Sequence, residues 1–330
     1  MVSVGAESRR QIAAILIGAL FLAFLPTLAT WLAMPDLVTL GTQITIFAIA
    51  AVGLDLLIGY GGLSSFGHAA FFGLGAYVVG ILAFHASEGD AFLGLVPGAT
   101  QAWIVWPAAV AVASVAALGI GALSLRTSGV QFIMITLAFA EMVYFLFVSL
   151  KTYGGDDGLG FRRRNALPGI DPRDDVAFYY VCLAALVLVV ALCRRIVRSR
   201  FGLVLQGIRQ NERRMAAIGL STYRYKLVAF TIAGGIGGLA GALDANLLRF
   251  VSPDLLHWTT SGDLMVMVVL GGAGSLYGAV LGSAIMIGLQ SFLSQWTEHW
   301  MIIMGPFLVV VILLVRRGIW GFVGGARGTT

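Results

Sequence analysis

The residues able to do chemistry in this chain are few, and most lie inside long apolar runs. Glu141 stands near the middle of an apolar stretch at about 129–150, which also carries Gln131. An ionisable group at that depth is costly in hydrocarbon and normally faces a bundle interior or an aqueous cavity. It therefore serves either a pathway or gate, or a buried structural hydrogen bond. His68 follows a glycine-rich break; a lone histidine of this kind is either hydrogen-bonded structure or a ligand. No second His, Cys or carboxylate pattern completes a metal site. Gln43, with Thr42 and Thr45, forms a polar seam on a span at about 37–59. Asp55 lies near the end of that span, where a structural partner or snorkelling is within reach. Asp244 and Asp263 fall near span ends, where water is expected to reach them.

Two strings resemble each other. GGLSSFGHAAFFGLGA (61–76) and GGAGSLYGAVLGSA (271–284) each hold a double glycine, a serine, then spaced small residues. Non-helical backbone at membrane depth is tolerated only where protein buries it or water wets it. Gly61, Gly62, Gly271, Gly272 and Ser275 are thus candidates for a pathway through the membrane. Close packing of helices through small residues is the alternative. The likeness of the two strings suggests a duplicated half.

The elements that must position these residues are membrane spans. With 59% hydrophobic and 11% charged residues, the composition is far from that of a soluble globular protein. Apolar runs of ~20 residues, enough to cross a bilayer, recur along the chain. They are unbroken rather than alternating at period two, which argues against a barrel. The reading is an all-α integral membrane protein, a polytopic helical bundle in one domain over residues 1–330. Spans are expected at about 11–33, 37–59, 68–84, 103–125, 129–150, 176–193 and 227–247. Residues 263–293 would make a helix of ~46 Å, well beyond a ~30 Å core. Two segments around GGAGS, Gly271 to Ser275, resolve that length. A last span at about 300–315 brings the count to about ten, with two glycine-broken hairpins. Cys182 and Cys193 share one span ~16 Å apart, too far for a disulfide.

Charge sets the orientation. The stretch 194–226 holds Arg194, Arg195, Arg198, Arg200, Arg209, Arg213, Arg214, Arg224 and Lys226 against one acid, Glu212. Such a loop belongs on the cytoplasmic side, and both termini then do as well. The loop 151–175 falls outside, and its Arg162–Arg164 run conflicts with the charge rule. The net charge of +5 sits in loops and fits topology control better than nucleic-acid binding. Within 194–226, Asn211 is a helix N-cap, Glu212 suits the first turn and Gly219 the stop. These predict a short helix at about 212–218, preceded by another around Leu203, Leu205 and Ile208. The loop is either a docking surface for a soluble partner or a basic segment anchored to lipid headgroups.

Several stretches resemble, in order, those of the LivM-type permeases of branched-chain amino-acid ABC importers. They are GLDLLIGYGGLSSFGHAAFFGLGAY (53–77), LRTSGVQFIMITLAFAEMVY (125–144), YGGDDGL (153–159), SRFGLVLQGIRQNERRMAAIGLSTYRYKLVAFTIAGGIGGLAGAL (199–243), VMVVLGGAGSLYGAVLGS (266–283) and RRGIWG (316–321). The resemblance implies a permease subunit of the bacterial inner membrane, paired with a homologous LivH-type permease. It also implies two cytoplasmic ATP-binding subunits, a periplasmic solute-binding protein and a lipid environment. No cofactor is implied for this chain. ATP and Mg belong to the partners, since no G-x-x-x-x-G-K-[ST] occurs here. The basic loop resembles the family's coupling segment, which implies ATPase coupling for Arg209, Glu212, Arg213, Arg214, Ala216, Ala217 and Gly219. Met215 stands where the general importer motif has its Glu. The implied solutes are branched-chain amino acids, or else urea, short amides or aromatic acids. A stand-alone channel or secondary carrier would explain the spans but leave 194–226 without a purpose. A membrane enzyme lacks paired catalytic carboxylates or a metal cluster.

Overall fold

A computed structural model describes residues 9–31, 34, 36–92, 96–169, 171–297, 299–314 and 318–323. It is a bundle of helices: α1 (Arg9–Trp31), α2 (Asp36–Asp55), α3 (His68–Glu88), α4 (Ala102–Ser124), α5 (Val130–Ser149), α6 (Asp175–Arg198), α7 (Arg200–Gln210), α8 (Glu212–Ala217), α9 (Thr222–Leu248), α10 (Trp258–Gly271), α11 (Leu276–Ser294), α12 (Trp300–Leu314) and α13 (Gly318–Val323). Eight of the helical stretches are long and apolar enough to cross a bilayer. The chain is a multi-pass membrane protein. The other two expected segments appear as α10, of 14 residues, and α12, of 15. At ~1.5 Å per residue α10 is only ~21 Å long, short of a hydrocarbon core. It is preceded by an irregular stretch, Arg249 to His257, whose Val251, Pro253 and Leu256 are buried. Residues 316 and 317, the arginines expected after the last span, lie outside the described residues.

Helices α2, α3 and α9 form the centre. From Thr45 to Leu57, α2 and its extension bury nearly every side chain, as a helix surrounded by other helices must. Helix α9 fits between α3 and α4 because both sides of the contact are small. On α4, Ala109, Ala113 and Ala117 recur every four residues and are fully buried. They face Gly234 and Gly238 of α9. On the other side, a Cβ at Gly75 of α3 would overlap the backbone carbonyl of Gly238. Without a hydrophobic driving force in lipid, such close backbone approach supplies the packing. The outer faces of α1, α4, α5, α6 and α12 are apolar and exposed, with Leu16, Phe21, Val115, Met134, Phe145, Leu188 and Ile302 prominent. In hydrocarbon these faces need no protein partner.

Some expectations change. Helix α6 runs on through Arg194 and Arg195 to Arg198, past the expected end at 193. Asp244, expected to be wetted, is 2% exposed within α9; α9 ends at Leu248, close to the expected 247, and the helices packed around it rather than added length enclose the carboxylate. Asp263 is exposed on α10. Cys182 and Cys193 are buried free thiols in the core. The Arg162–Arg164 run is eased locally. The Arg164 guanidinium pairs with Asp175 at 2.6 Å and donates to the Asn246 carbonyl at 2.9 Å near the end of α9. It also lies 4.6 Å over the Phe178 ring. A cation is favourable at a helix C-terminus, so Arg164 serves the fold rather than a loop's free charge. Asn165 and Asn246 complete the joint by exchanging side-chain and backbone hydrogen bonds.

The Gly75–Gly238 approach makes a direct prediction. Gly75→Val puts side-chain atoms into fixed backbone, and overpacking of this kind costs about 1–3 kcal/mol or more. Thermal unfolding of the solubilised protein should shift down markedly. Gly18→Val, where a Cβ meets nothing within 4 Å, should leave it unchanged. Equal midpoints for the two variants would contradict this packing.

Candidate functional site: two chain breaks under a basic helix

The first break begins where α2 passes from Asp55 into a π-helical turn, Leu56–Gly61. Widened turns of this type are rare and often mark functional sites. Gly62 then takes the left-handed conformation at φ 68°, and its N–H donates to the Leu57 carbonyl. That conformation favours glycine. Helix α3 restarts at His68. The backbone here is tied to neighbours: Phe66 N–H donates to Thr136 Oγ1 at 3.3 Å, and Ala69 N–H, in the first turn of α3, donates to Ser261 Oγ at 2.7 Å. The second break follows Gly271. Gly272 and Gly274 have φ of 113° and 89°, and Ser275 caps α11 by accepting from Gly278 N–H at 3.2 Å.

The two breaks, some two hundred residues apart in sequence, touch. Gly274 N–H donates to Asp55 Oδ1 at 2.7 Å. Gly59 lies so close to Gly274 that a Cβ there would overlap the Gly274 nitrogen and the Asp55 carboxylate. Asp55 is fully buried, and its Oδ2 has no partner among the described residues. Arg209 lies over this junction. Its Nη1 donates to the Gly59 carbonyl, its Cβ and Cγ pack on Gly62, and its guanidinium reaches beside Gly274. The guanidinium is also within electrostatic reach of Asp55. One side chain from α7 therefore contacts both breaks.

Helix α7 is held there by its own apolar face. Leu205 and Ile208 are buried, with Leu205 packed beside Leu56 and Leu57 of the π turn. Ser199 caps it by accepting from Gly202 N–H at 3.4 Å. Helix α8 follows after a turn. Asn211 caps it by accepting from Arg214 N–H at 2.9 Å. Met215 packs on Gly207 of α7, so the two short helices are packed against each other. Glu212 binds Lys226 Nζ at 2.6 Å and accepts from Thr222 Oγ1 at 3.0 Å, which fastens α8 to the start of α9. Burial pushes the Glu212 carboxyl up, but the Lys226 and Thr222 bonds outweigh it and hold it below its ordinary value. Arg213, Arg214, Ala216, Ala217 and Ile218 project outward, and Gly219, at φ 86°, ends the unit.

Residues 36–314 match the family described as branched-chain amino acid transport system / permease component. The chain belongs to this permease family. It is 28% identical to the high-affinity branched-chain amino acid transport system permease protein LivM of Salmonella typhimurium, over 86% of this chain and 69% of that protein. LivM of Escherichia coli K12 is 28% identical over 91% of this chain and 74% of its own length. LivH of Escherichia coli K12 is 24% identical over 86% of this chain and 93% of its own length. No solved structure matches the chain. The chain is thus a permease subunit of an amino-acid transporter.

The remaining candidates of this permease lie apart from the junction. Glu141 of α5 is half-buried. Its Oε1 accepts from Trp258 N–H at 3.3 Å, at the start of α10, and lies 3.9 Å from His257 Nε2. A carboxylate suits a helix N-terminus. His257 also stacks edge-on against Tyr144. His68 is fully buried between Phe71 and Gly237, and neither ring nitrogen has a partner among the described residues. Gln43 is half-buried on α2, ~18 Å along the helix from Asp55. Of the residues proposed from sequence for a pathway, Gly62 meets Arg209 at the junction, and Gly61, Gly271, Gly272 and Ser275 flank the junction in the two breaks. The junction leaves Gln43, His68 and Glu141 elsewhere. It adds Arg209, expected only on the outer docking face, and the carboxylate of Asp55.

The Glu212 bond has a pH signature. A carboxyl held below its ordinary value of 4.5 stabilises the folded state above that pH, and the contribution fades as pH falls through the lowered value. Hydrogen-exchange protection of α8 should be greater in wild type than in Glu212→Gln at pH 7. The difference should shrink as pH falls below the ordinary value of 4.5 and be lost below the lowered one. Equal protection at pH 7 would contradict the fastening role.

Proposed function

We propose that this chain is one transmembrane permease of an ATP-driven importer of branched-chain amino acids in a bacterial inner membrane. The observation that carries the reading is the α7–α8 unit. It joins an outward-facing basic surface to the junction of both chain breaks. A soluble motor that moves α8 would pull α7 through Met215, and α7 would pull the breaks through Arg209. The basic loop lies on the cytoplasmic side by the charge rule, with both termini there as well.

In this reading ATP and Mg bind two cytoplasmic subunits, which grip Arg213, Arg214, Ala216 and Ala217. Likeness to both LivM and LivH supports pairing with a homologous LivH-type permease. A periplasmic binding protein delivers the solute to the outer loops. The break junction acts as an inner gate, whose glycine backbone changes conformation with little steric cost. The path runs along the α5–α10 face shared with the partner permease. Glu141, His257, Thr259 and Asp263 give that face a polar character that would be costly against lipid. Glutamate at position 141 holds the start of α10 and lines the path.

Reconstitution with the LivH-type permease, the ATPases and the binding protein tests this reading. Leucine, isoleucine or valine should stimulate ATP hydrolysis, whereas urea, short amides and aromatic acids should not. Stimulation by one of those other classes would contradict the solute assignment. Arg213→Glu with Arg214→Glu should abolish co-purification of the ATPases while the protein still inserts. Undiminished co-purification would contradict coupling through α8.

A further inference from the structure

Beside the break junction lies a cavity of about 310 Å³, at the lower end of the roughly 300–1,000 Å³ typical of small-molecule sites. One wall is the first break, Gly61 to Ser64; another is the α4–α5 turn, Thr127 to Gly129, with Phe132 and Ile133; the third is Ile208 to Glu212, closed by Lys226. Phe132 and Ile133 belong to the start of α5, but Glu141, His257, Thr259 and Asp263, which mark the proposed transport path, do not line the cavity.

The lining divides by chemistry. Leu63, Phe132, Ile133 and Ile208 make an apolar side, in which Phe132 and Ile208 are 3% and 4% exposed. The rest of the lining is polar: Arg209, the Lys226–Glu212 pair, and Ser64, Thr127 and Ser128. The Lys226 side chain is only 8% exposed, so its charge is held in a largely desolvated setting, where a charge-assisted hydrogen bond is strong. A small group with a carboxylate, an ammonium and a compact aliphatic body fits all three surfaces at once. Arg209 and Lys226 suit its carboxylate, Glu212 and the hydroxyl residues suit its ammonium, and the apolar residues suit its body.

We infer that this cavity binds a free α-amino acid with a branched aliphatic side chain on the inner face of the permease. The inference rests on the importer reading above and adds a product-side site to it. Bound there, the amino acid bridges α7–α8, the first break and the α4–α5 turn. It resists the displacement of α8 that the motor must produce. Accumulated product therefore slows the transporter that delivers it.

The test uses the purified complete transporter, without binding protein and without nucleotide, and radiolabelled leucine as the probe. Wild type should bind leucine saturably. Glycine should compete at least about tenfold more weakly, because it leaves the apolar wall unfilled. Ser128→Trp, in an exposed turn, and Leu63→Trp, on the opposite wall, should each fill the cavity and weaken binding at least about tenfold. In proteoliposomes, leucine added on the ATPase side should lower ATP hydrolysis in wild type, and the ratio with and without it should approach one in both variants. Absence of saturable binding in wild type, while binding-protein-delivered leucine still stimulates hydrolysis, would overturn the site and leave the importer reading intact. Binding that neither tryptophan weakens would overturn it equally. Tryptophan-sensitive binding without stimulated hydrolysis would support the site and count against the importer reading.

Discussion

The contact of Gly59 with Gly274, held by the Asp55 carboxylate and covered by Arg209, is the constraint on which the rest of this permease depends. A buried carboxylate is costly unless it is hydrogen-bonded, and Asp55 meets that need partly through a backbone N–H in the other break. The geometry works only because both approaching residues are glycine; any side chain at 59 would collide with the Gly274 backbone. Much of each irregular segment is bonded locally, and one gap is closed across them, where the Gly274 N–H meets the Asp55 carboxylate. The π turn, the left-handed Gly62 and the cap at Ser275 all bring backbone to this meeting point.

Around the junction the bundle divides by packing. The α3–α4–α9 core is locked by backbone approaches through Gly75, Gly238, Ala113 and Ala117, which admit little sliding. Helices α7 and α8 hold on chiefly by side-chain contacts: buried Leu205 and Ile208, the Phe201–Tyr225 ring stack, Met215 on Gly207, the Arg209 bond and the Glu212–Lys226 pair. This unequal stiffness suits a device in which a small rigid unit moves against a fixed frame. It also places the charge-dependent bonds at the joints and the small-residue contacts in the frame.

Much of the fold was legible because lipid imposes strong rules. Apolar length marked the spans, and glycine pairs marked where helices stop. Helix α8 followed from Asn211, Glu212 and Gly219, whose capping chemistry is local. The meeting of the breaks was not legible, because nothing in either string names its partner across some two hundred residues. Arg209 illustrates the difficulty: in sequence it is one of many arginines, and only the fold points its side chain inward. Asp55 did carry a signal, as a lone acid ending an apolar span just before a break. Asp244 lies near the end of its span as the sequence suggests, but neighbouring helices bury it there, and distance from a span end does not reveal lateral packing. Arg164 misled because the charge rule counts arginines without seeing that one is held by Asp175 and a helix end.

The most direct test of the account is the ratio of solute taken up to ATP hydrolysed in Arg209→Gln, measured in the reconstituted transporter after checking that all subunits co-purify. A hydrogen bond from a charged group is worth about 1.5–3 kcal/mol, so its loss should lower the ratio roughly ten- to a hundredfold. Solute-stimulated hydrolysis should persist, since α8 and its outward surface remain. A ratio equal to wild type in an intact complex would mean that Arg209 does not link the motor to the chain breaks, and the central claim would fall.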